Sequence, residues 1–269
     1  MIIKAYVVPH PPIILPEIGR GEEKKIKNTI DSYRRMAREV KELHPDTVII
    51  SSPHAPMFAD GFFVASGSRD SVSLRSFGFP RIQETVLLDQ AFTEALVERL
   101  DRVGIPTALM PGRDEDHGFL IPLRFVHEAI SDFKVVHVGI SGLSCETHRM
   151  FGALLAETSR ALSRRTVFIA SGDLSHVLKA DGPYGLRPEG PAFDAEIARI
   201  FREGDLEALF EFDSGFAHRA AECGLRSFQM MVGALEERKI KSELFSYEGT
   251  FGVGYAVASV TPHNKNMSG

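Results

Sequence analysis

Residues 5–15 read AYVVPHPPIIL and residues 47–58 read TVIISSPHAPMF. Each is an apolar, β-branched run that ends on a proline followed at once by a histidine, His10 in the first and His54 in the second. Proline fixes φ and removes a ladder donor, so a strand stops there and the imidazole is carried past its end. A third apolar run, TVFIA at 166–170, leads directly into SGDLSH, which delivers His176 in the same manner. In open α/β sheets, ligands bind in the crevice beyond the carboxyl ends of the strands. His10 and His54 are therefore expected to meet there, and His176 again stands at a strand's carboxyl end.

Working outward, short β-branched runs alternate with longer segments whose apolar residues recur every three or four positions. Strands are predicted at 2–8, 47–51, 62–65, 107–110, 134–139, 166–170, 242–247 and 253–260. Helices are predicted at 22–43, 88–103, 145–162, 193–202 and 224–237, with Asp89 and Asp205 as helix N-caps. This alternation implies an α/β fold: a single three-layer αβα domain with a mainly parallel or mixed central sheet. No linker or repeat divides the chain, so residues 1–262 are expected to form one domain and 263–269 a frayed tail. The Gly/Pro-rich stretch KADGPYGLRPEGP, 179–191, is too long for a simple turn and is expected to wall or cover a site.

Composition narrows the function classes. The chain has 269 residues, 43% hydrophobic and 25% charged, with a formal net charge of −5. Mixed charge without a basic face argues against a nucleic-acid partner. No apolar run is long enough to cross a membrane and no signal peptide is evident. Cys145 and Cys223 are not spaced as a disulfide framework, which suits a reducing compartment. A cytoplasmic location, with a possible homo-oligomer, is the expectation.

Further candidates for chemistry follow. In SGDLSH, Asp173 and Ser175 flank His176, and a histidine with a neighbouring carboxylate suits general acid–base work. Ser175 lacks the flanking glycines of a nucleophile elbow. His117 stands in RDEDHGFLIPL, where three acids and Gly118 surround it; taken alone this reads as an acidic loop entering a helix. Two histidines holding a metal call for an anionic third ligand. Glu222 in AAECGLRSFQ, its neighbour Cys223, and Glu248 are the candidates, with Cys223 favouring a softer metal. Two histidines plus a carboxylate serve non-haem Fe(II) oxygenases and catalytic zinc alike. His44, His127, His137, His148 and His263 read as structural or surface residues.

Taken in order, VPHPP, SPHAP, DHG before Pro-Leu, GDLSH and ECGLRS resemble the class III (LigB-like) extradiol ring-cleaving dioxygenases, relatives of the catalytic subunit of protocatechuate 4,5-dioxygenase. The loop DGPYGLRPEGPAFD and the ending SYEGTFGVGYAVA are similar to a branch associated with Memo-like and radical-SAM partners. The resemblance spans His10 to Tyr255. It implies Fe(II) held by His10, His54 and Glu222, with His176 as the acid–base histidine and His117 lining the pocket. Asp173, Ser175 and Tyr184 would border a small aromatic substrate, a catechol or aminophenol opened with O2. No residue stands out for a ring carboxylate, and Cys223 is an alternative ligand, because Memo-like relatives use a cysteine nearby. Two other readings stay open: a zinc-dependent hydrolase or lyase on this scaffold, and a non-catalytic Memo-like binding protein.

Overall fold

The computed structural model describes residues 1–235 and 239–263. Residues 264–269 of the expected tail and the last part of the expected helix 224–237 lie outside the described residues.

Among the described residues there are ten strands: β1 (Ile2–Val8), β2 (Thr47–Ser52), β3 (Phe62–Ala65), β4 (Arg69–Leu74), β5 (Phe79–Leu87), β6 (Thr107–Met110), β7 (Lys134–Gly139), β8 (Thr166–Ser171), β9 (Ile240–Glu248) and β10 (Tyr255–Pro262). Eight of them form one sheet in the order β6-β3-β7-β2-β8-β1-β10-β9, while β4 and β5 pair separately as a hairpin. The central four, β7, β2, β8 and β1, run parallel. Both flanks turn antiparallel: β3 against β7 on one side, β10 and β9 beyond β1 on the other. The sheet is thus mixed, with a parallel centre. Every residue of β2 and β8 is buried, as a parallel sheet covered on both faces requires.

The helices are α1 (Pro16–Gly19), α2 (Lys27–Leu43), α3 (Gln90–Arg102), α4 (His117–His127), α5 (Cys145–Ala161), α6 (Glu189–Glu203), α7 (Ser214–Ala220) and α8 (Leu225–Leu235). Side chains alternate across a strand, so the sheet feeds two cores. Tyr6, Val8, Val48, Ile50, Val167 and Ile169 face Tyr33 and Met36 of α2 and Phe119 and Leu123 of α4. Ala5, Val7, Ile49, Phe168 and Ala170 face the other way, toward Phe92 of α3, Phe151 of α5, Phe193 of α6 and Phe228 of α8. These are the three layers expected from the alternating pattern.

Local chemistry sets several boundaries. Asp89 caps α3 by accepting from Phe92 N–H, and Asp116 and Ser144 cap α4 and α5 in the same way. The expected cap at Asp205 is not one. Its segment is a 3₁₀ turn without a side-chain cap, and the Asp205 carboxylate pairs with Arg199 instead. The expected helix 22–43 opens as a 3₁₀ stretch, Glu22–Ile26, before α2. The hairpin β4–β5 and helices α1 and α7 were not expected. Both cysteines are free, and no helix among the described residues is long and apolar enough to cross a membrane.

Candidate metal centre

Because β1, β2 and β8 run parallel, their carboxyl ends share one edge, and the residues after Val8, Ser52 and Ser171 emerge side by side. The His10 and His54 Nε2 atoms stand 3.1 Å apart there. His117, the first residue of α4, lays its ring against that of His54, with centroids 3.9 Å apart, and stands edge-on to His10. His176 completes a cluster of four imidazoles on this rim.

Each ring is held from behind. His10 is 1% exposed; its N–H donates to Asp173 Oδ1 at 2.7 Å and its Nδ1 meets Ser171 Oγ at 2.9 Å. The Tyr33 hydroxyl donates to the carbonyl of Pro9. With Nδ1 engaged, Nε2 is the atom His10 presents to the crevice. His54 N–H donates to Ser52 Oγ at 3.1 Å. His176 Nδ1 lies 2.6 Å from the Ala221 carbonyl. A carbonyl only accepts, so Nδ1 carries the proton and Nε2 is left as the base.

The late turn before α8 reaches the same place. Gly172, just past β8, packs backbone to backbone on Gly224, leaving no room for a Cβ on Gly172. Cys223 N–H bonds the Asp173 carbonyl, and Asp173 N–H points at Cys223 Sγ at 3.2 Å. Cys223 Sγ consequently lies 3.6 Å from His10 Nε2. His10, His54 and Cys223 offer three ligand atoms all within 4.8 Å of one another, the metal-type group found among the described residues. Glu222 is not brought into that group. Its carboxylate accepts from Leu225 N–H at 2.7 Å and caps α8.

The other sequence candidates separate. Asp173 is buried and braces His10. The Ser175 hydroxyl is fully buried and accepts from Val177 N–H, so it is turned inward. Tyr184, 63% exposed on the Gly/Pro loop, presents its ring edge to His176 with centroids 5.5 Å apart. Glu248 bonds Thr29 in the first turn of α2. Sequence reasoning missed Phe77, on the turn between β4 and β5, which stands edge-on to His117. It also missed Asp194, buried on α6, which receives Ser175 N–H and the Tyr247 hydroxyl and so fixes the loop carrying His176.

Electrostatics favour neutral donors. Burial, then repulsion from the other imidazoles, drives the His10 pKa well below the ordinary range. Burial lowers His54 and His176 as well, and takes His117 to about 4. Burial raises Asp173 and Glu222 to about 7 and pushes the Cys223 thiol up. Neutral imidazoles are ready ligands, whereas the thiol gives up its proton only to a cation that replaces it. Donors about 2.0–2.3 Å from one transition-metal ion stand roughly 3–4 Å from each other. The His10–His54 and His10–Cys223 separations fit that spacing.

The sequence pattern of the family described as the catalytic LigB subunit of aromatic ring-opening dioxygenase matches residues 4–258. The chain belongs to this LigB family. A Clostridium acetobutylicum protein whose name states no activity is 38% identical over 98% of this chain, which spans 58% of that protein's length. The 2-aminophenol 1,6-dioxygenase beta subunit of a Pseudomonas species is 25% identical, covering 95% of this chain and 92% of the subunit. A crystal structure of an uncharacterized Escherichia coli K12 protein shares the fold, with a TM-score of 0.60, 17% identity and coverage of 96% of this chain and 99% of that one. LigB dioxygenases are metal-dependent, and the histidine cluster is where this member carries metal-type donors.

Proposed function

We propose that this LigB protein opens a catechol or aminophenol ring with O2, using Fe(II) held by His10, His54 and one anionic side chain from the Glu222–Cys223 pair. The observation that carries the reading is the convergence of the His10 and His54 Nε2 atoms beside two further neutral imidazoles. The side-chain positions favour Cys223 as the third donor, with Glu222 left to cap α8.

When bound, the iron supplies the electronic link between an electron-rich ring and dioxygen. The chain's own residues supply position and proton control. His176 enters neutral with its Nε2 lone pair free, so it takes the proton of a substrate hydroxyl and returns it later in the reaction. The Ala221 carbonyl stabilises the imidazolium formed between those steps. His117, ring to ring with His54, and Phe77, edge-on beyond it, offer ring surfaces against which an aromatic substrate would pack. Tyr184 presents its ring beside His176.

The test is anaerobic loading with Fe(II), then oxygen uptake and yellow product formation on a panel containing catechol and 2-aminophenol. Turnover supports the reading; absence of oxygen uptake with iron bound stoichiometrically rejects it. His10→Ala and His54→Ala should each abolish metal retention. Comparing Cys223→Ala with Glu222→Ala identifies the third donor, since only loss of the true ligand removes the metal. The thiol's position favours one second reading, a zinc hydrolase or lyase, because thiolates suit zinc. Stoichiometric zinc in protein purified without added metal, with activity indifferent to oxygen, would select it.

A further inference from the structure

Behind the histidine cluster lies a buried polar chain that the reaction itself does not use. His137, in the middle of β7, is 1% exposed and stacks flat on Phe119, with centroids 3.9 Å apart. Its Nδ1 meets Asp70 Oδ2 at 2.8 Å and its Nε2 meets Asp116 Oδ2 at 3.1 Å. Each ring nitrogen thus faces a carboxylate oxygen, and only the imidazolium donates at both. The other oxygen of Asp116 accepts twice, from Phe119 N–H at 2.9 Å and from Ser52 Oγ at 2.6 Å. Ser52 Oγ in turn accepts from His54 N–H. The same carboxylate therefore starts the helix that carries His117 and holds the turn that carries His54. There is no slack between those two segments: a side chain at Gly118 would run into Ser52 Oγ and press on the His54 ring.

We infer that His137 is a positioning residue for the metal site: clamped by Asp70, it fixes Asp116, which through Ser52 sets His54 and through α4 sets His117. This rests on the proposed reading in one respect, that His54 is a metal ligand. A fully buried carboxylate without a partner protonates or turns toward solvent, and the imidazolium removes both options. Ser52 then has one hydroxyl orientation, donating to Asp116 with its lone pair on the His54 N–H. His137 thus acts through three hydrogen bonds, ending on the backbone N–H of His54, as an extended form of the supporting shells of metal sites.

The test measures Co(II) affinity by titration, with the absorption spectrum of bound Co(II) as a geometric readout. The proteins are the wild type, Ser52→Ala, His137→Gln and the double variant, each checked for folding by circular dichroism. Each single variant should bind Co(II) roughly 10–100-fold more weakly with an altered spectrum. The double variant should be no weaker than the weaker single, because both act through Asp116; independent structural damage would multiply the losses. Asp116→Asn replaces His137→Gln if the latter does not fold. Its amide oxygen still caps α4 while its NH2 no longer accepts from His137. Additive losses, or affinities and spectra equal to the wild type, overturn the inference alone. A folded wild type that binds no Co(II) overturns the proposed metal site and this inference with it.

Discussion

Replacing Gly172 with alanine tests how the late turn is brought to the histidines. The new methyl would lie inside the contact distance of Gly224 Cα. Carbon atoms prefer about 3.5–4.0 Å, so one backbone must retreat by about 1 Å or more. Gly172 is the anchored side, because its N–H bonds the Val8 carbonyl and ties β8 to β1. The turn Ala221–Gly224 is therefore the part that moves, taking Cys223 away from His10. Metal–ligand distances tolerate only about 0.2 Å, so the expected shift removes the thiolate from the metal. Overpacking of this kind costs about 1–3 kcal/mol, which for a chain of this size lowers Tm by several degrees, on the order of 2–4 °C per kcal/mol. Two measurements decide: thermal unfolding of the metal-free protein, and Co(II) titration followed through the thiolate charge-transfer absorption. Affinity should fall by at least about 10–100-fold and the band should vanish. A variant that loses stability but keeps both the affinity and the band would show that the turn does not move and the thiolate stays on the metal; a wild type without the band would show that Cys223 is not a ligand. One that melts like the wild type would refute the packing argument itself.

Three further outcomes are expected. His176→Ala should retain the metal and lose roughly 10²–10⁴-fold in turnover; co-loss of metal in elemental analysis would mean that the roles assigned to His10, His54 and His176 are wrong. Ala221 sits at φ 53°, a left-handed conformation that disfavours a side chain. Ala221→Gly should raise Tm by about 1–3 °C in a thermal melt, and a lower Tm would show that the Cβ is needed there. Stability should also depend on alkaline pH through His137. Burial alone would lower its pKa, but Asp116 and Asp70 outweigh that and raise it to about 9. A group raised on folding contributes fully below its unfolded value near 6.5 and loses that contribution as pH rises through 9. Asp116, held low by His137 despite its burial, gives the opposite limb, lost in acid. Urea unfolding from pH 8 to pH 9.5, above the titration of Asp173 and Glu222, should thus show a loss on the order of 1 kcal/mol, absent in His137→Gln.

How much of this could be read from the chain depends on how local each cause is. The parallel centre was legible because β2 and β8 are buried on both faces and so appear as unbroken apolar runs. The two histidines were legible because proline ends each run at a fixed point. The antiparallel flank next to β7 left a weaker trace: β3 is four residues long and pairs with β7 through a single registered contact. The hairpin β4–β5 was hidden by its exposure, since β5 is mostly solvent-facing and lacks clean alternation. In α4, Pro122 sits inside the helix, where sequence rules place a break, yet the Asp116 cap and the packing of Phe119 and Leu123 hold the helix through it.

The same distinction explains the site. Glu222 and Cys223 are neighbours; the residues themselves left both open as third ligand, and the family resemblance pointed to the carboxylate. Their different placements follow from the contact of Gly172 with Gly224, made by residues 52 positions apart in sequence. That contact puts Cys223 beside His10 and leaves Glu222 at the N-terminus of α8, where unpaired N–H groups and the helix dipole hold it. His137 was read as a structural histidine on its strand, which is true of its burial but silent about its partners. Asp70 lies on the hairpin the sequence concealed and Asp116 at the cap of a helix it obscured, so the clamp became visible only once those elements were in place. Histidines announced by proline are local facts. The carboxylates and glycines that aim them are relations between distant segments, which a pattern along the chain does not carry.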